Sequence, residues 1–291
     1  MLRRSALLGL AASATNIACG QAQSAPLDLR PYRLSFNAEF GDAKAHYLRR
    51  NGGPFTTRLE DWGGLRTLPK NKELQLYVDS SFIPNPAGTD QLGRNDGYRG
   101  APLGYNPFSI EDGCLVITAI PCPAPLRQRV DRPYLSGLIG TDRTFAQKYG
   151  YFEIRFQAPG GAGLWPAFWL VSKSGAEEID VVETIGEPNC VYQSVHLPGH
   201  PKFFGKKIHT AFDYSDGMHS YGVVWNDREL IFFIDGIESC RANALLLRSA
   251  APMYLLANLA VGGSWPGNPM PETPFPARLR IKHIRAYTQR N

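Results

Sequence analysis

This sequence predicts an all-β fold, a sandwich or a barrel, on three observations. Short runs rich in β-branched and aromatic residues recur along the chain. Turn-forming clusters separate them at close spacing, and no stretch beyond one or two turns carries the stripe of an amphipathic helix. The 291 residues are 43% hydrophobic and 20% charged, with 29 Gly and 23 Pro, and one all-β domain can use that whole length. A single domain is therefore expected over residues 30–291.

The chain opens on Met1-Leu-Arg-Arg-Ser-Ala-Leu-Leu-Gly-Leu-Ala-Ala12. Paired arginines, a short apolar run and then small residues form an export signal, and the run is too short to span a membrane as a mature helix. Arg3-Arg4 resembles the twin-arginine type, although an ordinary secretory signal has the same layout. Gly20-Gln21-Ala22 offers a small-x-small cleavage site, so the signal is assigned to residues 1–22 and a periplasmic or extracellular location is expected. Cys19 would suit a lipid anchor. Asn16 stands where a lipobox carries an aliphatic residue, so anchoring is not expected.

The strands follow in order. Cys114-Leu-Val-Ile-Thr-Ala-Ile120, Gly150-Tyr-Phe-Glu-Ile-Arg-Phe-Gln157, Tyr221-Gly-Val-Val-Trp225, Leu230-Ile-Phe-Phe-Ile234 and Leu279-Arg-Ile-Lys-His-Ile-Arg-Ala-Tyr287 are the clearest. In the second, Phe152, Ile154 and Phe156 share one face and Glu153, Arg155 and Gln157 the other. Asn226-Asp227-Arg228 and Asp235-Gly236 are turns between strands. Residues 84–106, rich in Gly, Pro, Asn and Asp, form a long surface loop, and Asn243 to Arg248 suits a short helix.

If Cys114 to Ile120 is one strand, Cys114 and Cys122 lie roughly 25 Å apart, beyond bonding reach. Two readings stay open for the other cysteines: a Cys190–Cys240 bridge, or four buried thiols. The net charge of +5 comes without any Lys/Arg run, so nucleic acid is not an expected partner, while attraction to acidic polysaccharide is compatible with it.

One segment stands apart. Glu178-Ile-Asp-Val-Val-Glu183 is apolar enough to be half buried, yet carries three carboxylates. On a regular strand Glu178 and Asp180 share a face about 6.6 Å apart, but Glu183, five positions on, points the other way. A β-bulge adds one residue and returns Glu183 to that face, and the doubled Val181-Val182 is where it would sit. Two carboxyls about 5–5.5 Å apart are what double-displacement glycoside hydrolysis uses, as nucleophile and acid. Asp180 between them can hold the nucleophile and separate the two pKa values. A solvated acidic face or a Ca²⁺ site draws on the same residues, so spacing alone does not decide. Upstream, Gly163-Leu-Trp-Pro-Ala-Phe-Trp169 supplies Trp165 and Trp169, aromatic faces of the kind sugars stack on.

Taken together, Tyr149-Gly-Tyr-Phe-Glu-Ile-Arg155, Gly163 to Trp169 and Glu178 to Glu183 resemble glycoside hydrolase family 16. His219 to Trp225, Phe233-Ile-Asp-Gly236 and Asn258-Leu-Ala-Val-Gly-Gly-Ser-Trp-Pro-Gly267 fit in the same order, so the resemblance spans roughly residues 34 to 287. It implies a jelly-roll β-sandwich of two curved antiparallel sheets with the substrate in a concave cleft. It also implies Glu178 as nucleophile, Asp180 as its assistant and Glu183 as acid/base. Trp165 and Trp169 would flank the scissile bond, His196 would sit near the acid/base, and Gln75, Tyr77, Asn258 and Trp265 would contact sugar. Asp235 is a turn residue rather than a ligand.

The implied activity is that of a retaining endo-β-glycanase on β-1,3- or mixed β-1,3/1,4-glucan or a bacterial exopolysaccharide, without a cofactor. The alternatives are a transglycosylase on the same fold and a non-catalytic lectin-like sandwich, against which three crowded carboxylates argue. Many family members hold a structural Ca²⁺ near the two termini. Here Ala38 and Lys282 stand where aspartates are common, and an ammonium repels Ca²⁺, so no metal is expected. Polysaccharide is the expected partner and a monomer the expected state.

Overall fold

The computed structural model describes residues 26–41, 47–85, 99–174, 176–198, 204–247 and 250–290. The expected export signal, Cys19 and the central part of the loop expected over 84–106 lie outside them. Sixteen strands are present among the described residues. The first eight are β1 (Tyr32–Glu39), β2 (Gln75–Tyr77), β3 (Phe108–Glu111), β4 (Cys114–Pro121), β5 (Tyr134–Ser136), β6 (Leu138–Gly140), β7 (Gly150–Gln157) and β8 (Leu164–Ser172). There follow β9 (Glu178–Glu183), β10 (Cys190–His196), β11 (Phe204–His209), β12 (His219–Trp225), β13 (Glu229–Ile234), β14 (Ile237–Asn243), β15 (Met253–Val261) and β16 (Ala277–Gln289). One turn of α-helix, Ala124–Arg127, joins them.

The strands form two sheets. A ten-stranded sheet has the order β14-β13-β12-β7-β16-β4-β5-β2, with β1 added on β16 and β3 on β4; a six-stranded sheet has the order β11-β10-β9-β8-β15-β6. All pairings between these strands are antiparallel except β2 with β5. This is a jelly-roll sandwich, and period-two alternation builds it. Phe152, Ile154 and Phe156 enter the central core with Tyr221, Val223 and Trp225, and meet Phe168, Leu170, Val195, Leu255, Ala257 and Leu259 from the smaller sheet.

Local chemistry agrees with the chain's punctuation. Asp235 and Gly236 both have positive φ (49° and 75°), the conformation of a tight hairpin turn between β13 and β14. The Asp235 carboxylate accepts from His219 Nδ1 and from the Ser220 N–H, which fixes the turn to β12. Instead of the expected helix after Asn243, β14 runs to that residue and a 3₁₀ turn covers Leu245–Leu247. The Cys190–Cys240 alternative falls: Cys114, Cys122, Cys190 and Cys240 are all buried free thiols. Cys190 lies against His209 in the small sheet, whereas Cys240 points to Gln193 across the core, so each sulfur has its own partner. Lys282 donates its Nζ to the Gly113 carbonyl at 3.2 Å.

The outer face of the smaller sheet is only partly covered. Leu59, Trp62, Leu65 and Leu68, from the segment before β2, pack on Leu138, Ala167, Trp169, Tyr254 and Leu256. Buried Arg66 ties this segment down, donating to the Tyr77 carbonyl at 3.1 Å and pairing with Asp79 at 3.3 Å. The uncovered remainder of the sheet is the floor of a cleft.

Candidate active site

The cleft has a volume of about 1390 Å³, and Glu178, Asp180 and Glu183 all line it. One irregularity of β9 brings them together. Against β8, Glu183 is level with Ala167 and Asp180 with Trp169, so three residues of β8 face four of β9. The same slip occurs against β10, where Glu183 faces Tyr192 and Asp180 faces Ser194. Val181 is the extra residue of a bulge. Ile179, Val181 and Val182 consequently all enter the core, each fully buried, while the three acids share the opposite face.

Burial governs the electrostatics of this row. Asp180 is 3% exposed and Glu183 7%, so each charge meets a large desolvation cost. Burial pushes Asp180 up to about 7, offset by its hydrogen bond with Glu178. Glu183 is raised well above the ordinary carboxyl range, first by burial and then by the charge of Asp180; the hydrogen bond from Trp165 acts the other way. Burial and the neighbouring Asp180 likewise raise Glu178, which His196 partly offsets. Three carboxyls this close titrate as a unit, because ionising one makes the next harder to ionise.

Aromatic rings and a buried polar chain surround the row. Trp165 donates Nε1–H to Glu183 Oε1 at 2.9 Å. Its ring meets Trp265 edge-on at 5.5 Å, and Trp265 in turn meets Tyr192 at 4.7 Å. Gly163 makes this corner possible: its φ is +73°, and a Cβ there would collide with the Asn268–Pro269 backbone. Trp169 donates to Asn258 Oδ1 at 2.8 Å, and Asn258 donates to the Tyr77 hydroxyl at 3.1 Å. Trp169, Tyr77 and Asn258 thus line the cleft with their polar ends largely satisfied by one another.

One sequence expectation needs correcting. Gln75 does not reach the cleft. It is fully buried, donating to Glu73 at 2.6 Å and accepting from the Val261 N–H at 2.7 Å, so it joins β2 to β15 rather than to a ligand. His196, expected near Glu183, lines the same cleft: it faces Glu178 in the β9–β10 register, places Nε2 at 2.9 Å from Asp180 Oδ2, and is near enough to Glu183 to lower that acid's pKa. The other expected residues, Trp165, Trp169, Tyr77, Asn258 and Trp265, all line the cleft.

Trp62, Lys70, Asn71 and Tyr192 also line it and were missed by sequence reasoning. Tyr192 carried a signal, since it lies four residues before His196 and so shares its face on the same strand. Trp62, Lys70 and Asn71 come from a long connection and had none. Glu178, Asp180 and His196 each offer one ligating atom within 4.8 Å of the others. Among the described residues this is the one cluster suited to a cation, but coordination there would occupy the carboxylate oxygens of Glu178 and Asp180.

The model of the family "Glycosyl hydrolases family 16" matches residues 119–280, more than half of the chain, with the whole acid row inside. The chain belongs to glycosyl hydrolase family 16. Within the family it is 35% identical over 228 residues to the endo-1,3-1,4-beta-glycanase EglC of Rhizobium meliloti (strain 1021), covering 76% of this chain and 44% of that protein. It is 34% identical to the endo-1,3-1,4-beta-glycanase ExsH of the same organism, with the same coverage. The matched region is thus less than half the length of these two relatives. The catalytic domain of an endo-1,3-beta-glucanase (laminarinase) from Thermotoga petrophila RKU-1 superposes with a TM-score of 0.69 at 27% identity, covering 89% of this chain and 99% of that one. Family 16 membership and the jelly-roll fold therefore agree. Among the described residues no helix is long and apolar enough to cross a membrane.

Proposed function

We propose that this family 16 protein is a retaining endo-β-glycanase that hydrolyses β-1,3- or mixed β-1,3/1,4-linked glucan or a bacterial exopolysaccharide. The observation that carries the reading is the bulge at Val181, which puts Glu178, Asp180 and Glu183 on one face inside an aromatic-lined cleft. The names of the relatives EglC and ExsH support the substrate class.

In the first step Glu183, kept protonated by burial, gives its proton to the glycosidic oxygen while a Glu178 carboxylate oxygen attacks the anomeric carbon. The C–O bond to the leaving sugar breaks, and a glycosyl ester on Glu178 forms. In the second, ionised Glu183 takes a proton from water, the hydroxide attacks the same carbon, and Glu178 leaves. Two inversions retain the anomeric configuration. Glu178 and Asp180 share one proton and one negative charge, and Asp180 is the partner that holds the proton while Glu178 attacks. Nε2 of His196 lies 2.9 Å from the Asp180 carboxyl. Trp165 orients Glu183 and Trp169 offers its ring to a sugar face. The mechanism uses no cofactor and no metal, and the protein acts as an exported monomer whose signal is residues 1–22.

Glu178→Ala and Glu183→Ala should each lower turnover on β-glucan by about a hundred-fold or more with the melting temperature nearly unchanged. NMR of the first-formed product from the wild-type enzyme should give the β-anomer. Near-normal activity in Glu178→Ala, or an α-product, would overturn the assignment.

A further inference from the structure

One side chain in the core of the sandwich is out of keeping with its neighbours. On β10, Tyr192, Ser194 and His196 line the cleft, while Val191, Gln193 and Val195 alternate with them on the core face. Gln193 is fully buried between the two valines. An amide there carries a desolvation cost that an apolar residue avoids, and hydrogen bonds must offset it. Its Nε2 donates to the Val181 carbonyl at 3.2 Å, and its Oε1 accepts from the Ser239 hydroxyl at 2.6 Å and from the Cys240 thiol at 3.4 Å. A carbonyl only accepts, so the amide can face Val181 in one orientation alone.

These partners belong to two irregularities on opposite sheets. Val181, the extra residue of β9, is paired in neither the β8 nor the β10 register. Gln193 is the one residue of β10 that spans Val181 and Val182, between Tyr192 opposite Glu183 and Ser194 opposite Asp180. Edge strand β14 has a bulge of its own: Cys240 is level with Phe232 and Glu238 with Phe233, so Ser239 is extra, and both Ser239 and Cys240 reach Gln193. Gln193 thus ties the bulge of the acid strand, through the core, to the edge of the ten-stranded sheet. A bulge that slid past Glu183 would turn that acid into the core, because one residue of register exchanges the faces of a strand. A bond to the carbonyl of Val181 opposes that slide.

We propose, on the strength of the glycanase reading above, that Gln193 is a positioning residue for catalysis: it holds the Val181 carbonyl from the core side, keeps the bulge in place and so sets how Asp180 and Glu183 meet the substrate. Gln193 itself lies outside the cleft lining, and its effect falls on turnover rather than on binding, since Trp169, Tyr192 and Trp265 keep their places in the cleft. A displacement of the acids by about 1 Å is enough to slow the reaction up to about a hundred-fold.

The test compares Gln193→Leu with the wild type on a β-1,3-glucan and a mixed β-1,3/1,4-glucan. Leucine fills the site without a donor, and kcat should fall roughly ten- to a hundred-fold with KM within about two-fold. Gln193→Glu is the conservative rescue. At about pH 5 burial keeps its carboxyl protonated, which offers a donor to Val181 and an acceptor to Ser239, so kcat should return to within about three-fold of the wild type. Leu230→Ala, which truncates a fully buried residue of β13, controls for lost stability: it should lower the melting temperature and leave kcat near the wild-type value. An unchanged kcat in folded Gln193→Leu, a loss confined to KM, no recovery in Gln193→Glu, or an equal loss of kcat in Leu230→Ala overturns the proposal. Should Gln193→Leu not fold, Ser239→Ala, which removes the 2.6 Å anchor of the amide, takes its place: a lower kcat at constant KM upholds the proposal and an unchanged kcat rejects it. If the wild type cuts neither glucan, the glycanase reading on these glucans fails. Hydrogen exchange at the Val182 and Glu183 amides then scores the hold on the acid row without turnover: faster exchange in Gln193→Leu upholds it, and equal exchange rejects it.

Discussion

Trp165 donates its indole N–H to the very carboxyl oxygen, Oε1 of Glu183, that lies on the cleft face of the bulged strand. This bond favours the ionised acid and so restrains a pKa that burial drives upward. Trp165→Phe keeps the ring and removes the bond. Its expected effect is to move the alkaline limb of the kcat/KM profile up by about one pH unit, because Glu183 then keeps its proton longer. A limb that stays put or moves down would show that Trp165 does not set this protonation.

Asp180 links the site to stability. Its folded pKa is raised from 3.8 to about 7, so it stabilises the fold fully below the unfolded value and loses that contribution as pH rises through the folded one. Glu178 and Glu183 act with the same sign. The wild-type melting temperature should therefore decline between about pH 4 and 7 relative to Asp180→Asn, which titrates one group fewer. Calorimetry across that range should show a flatter profile for the variant, together with a loss of turnover.

Deleting Val181 tests the bulge itself. Without it the strand reads Glu-Ile-Asp-Val-Glu, in which plain alternation keeps all three acids on one face. The deletion removes a fully buried valine and should cost about 2 kcal/mol, read by denaturant unfolding. Activity should remain measurable, and the pairing to β8 and β10 should become regular. Complete loss of activity in a folded deletion protein would mean that the bulge supplies position as well as orientation.

Strand positions were legible because local alternation marks them. β7 spans Gly150–Gln157, and its two faces divide as the sequence pattern requires, with Phe152, Ile154 and Phe156 inside. The bulge was legible for the same reason, since two acids five positions apart cannot satisfy a period of two. Gln75 was not. Its strand is three residues long, too short for alternation to reveal a face, and its partner Val261 is remote in sequence. The burial of Gln75 is set by that partner. Likewise, Trp62 and Asn71 reach the cleft because the segment before β2 folds over Ala167 and Leu256, an arrangement recorded in no local pattern.

The acid row, the tryptophans beside it and the all-β class were determined by the sequence alone, because each depends on spacing within one strand or on the recurrence of strands. The tertiary structure decided what those groups touch. Burial raised the pKa of the row, His196 came to lie beside Asp180, and the cysteines stayed thiols. Such contacts join residues far apart in the chain, and only packing fixes their distance and their dielectric surroundings.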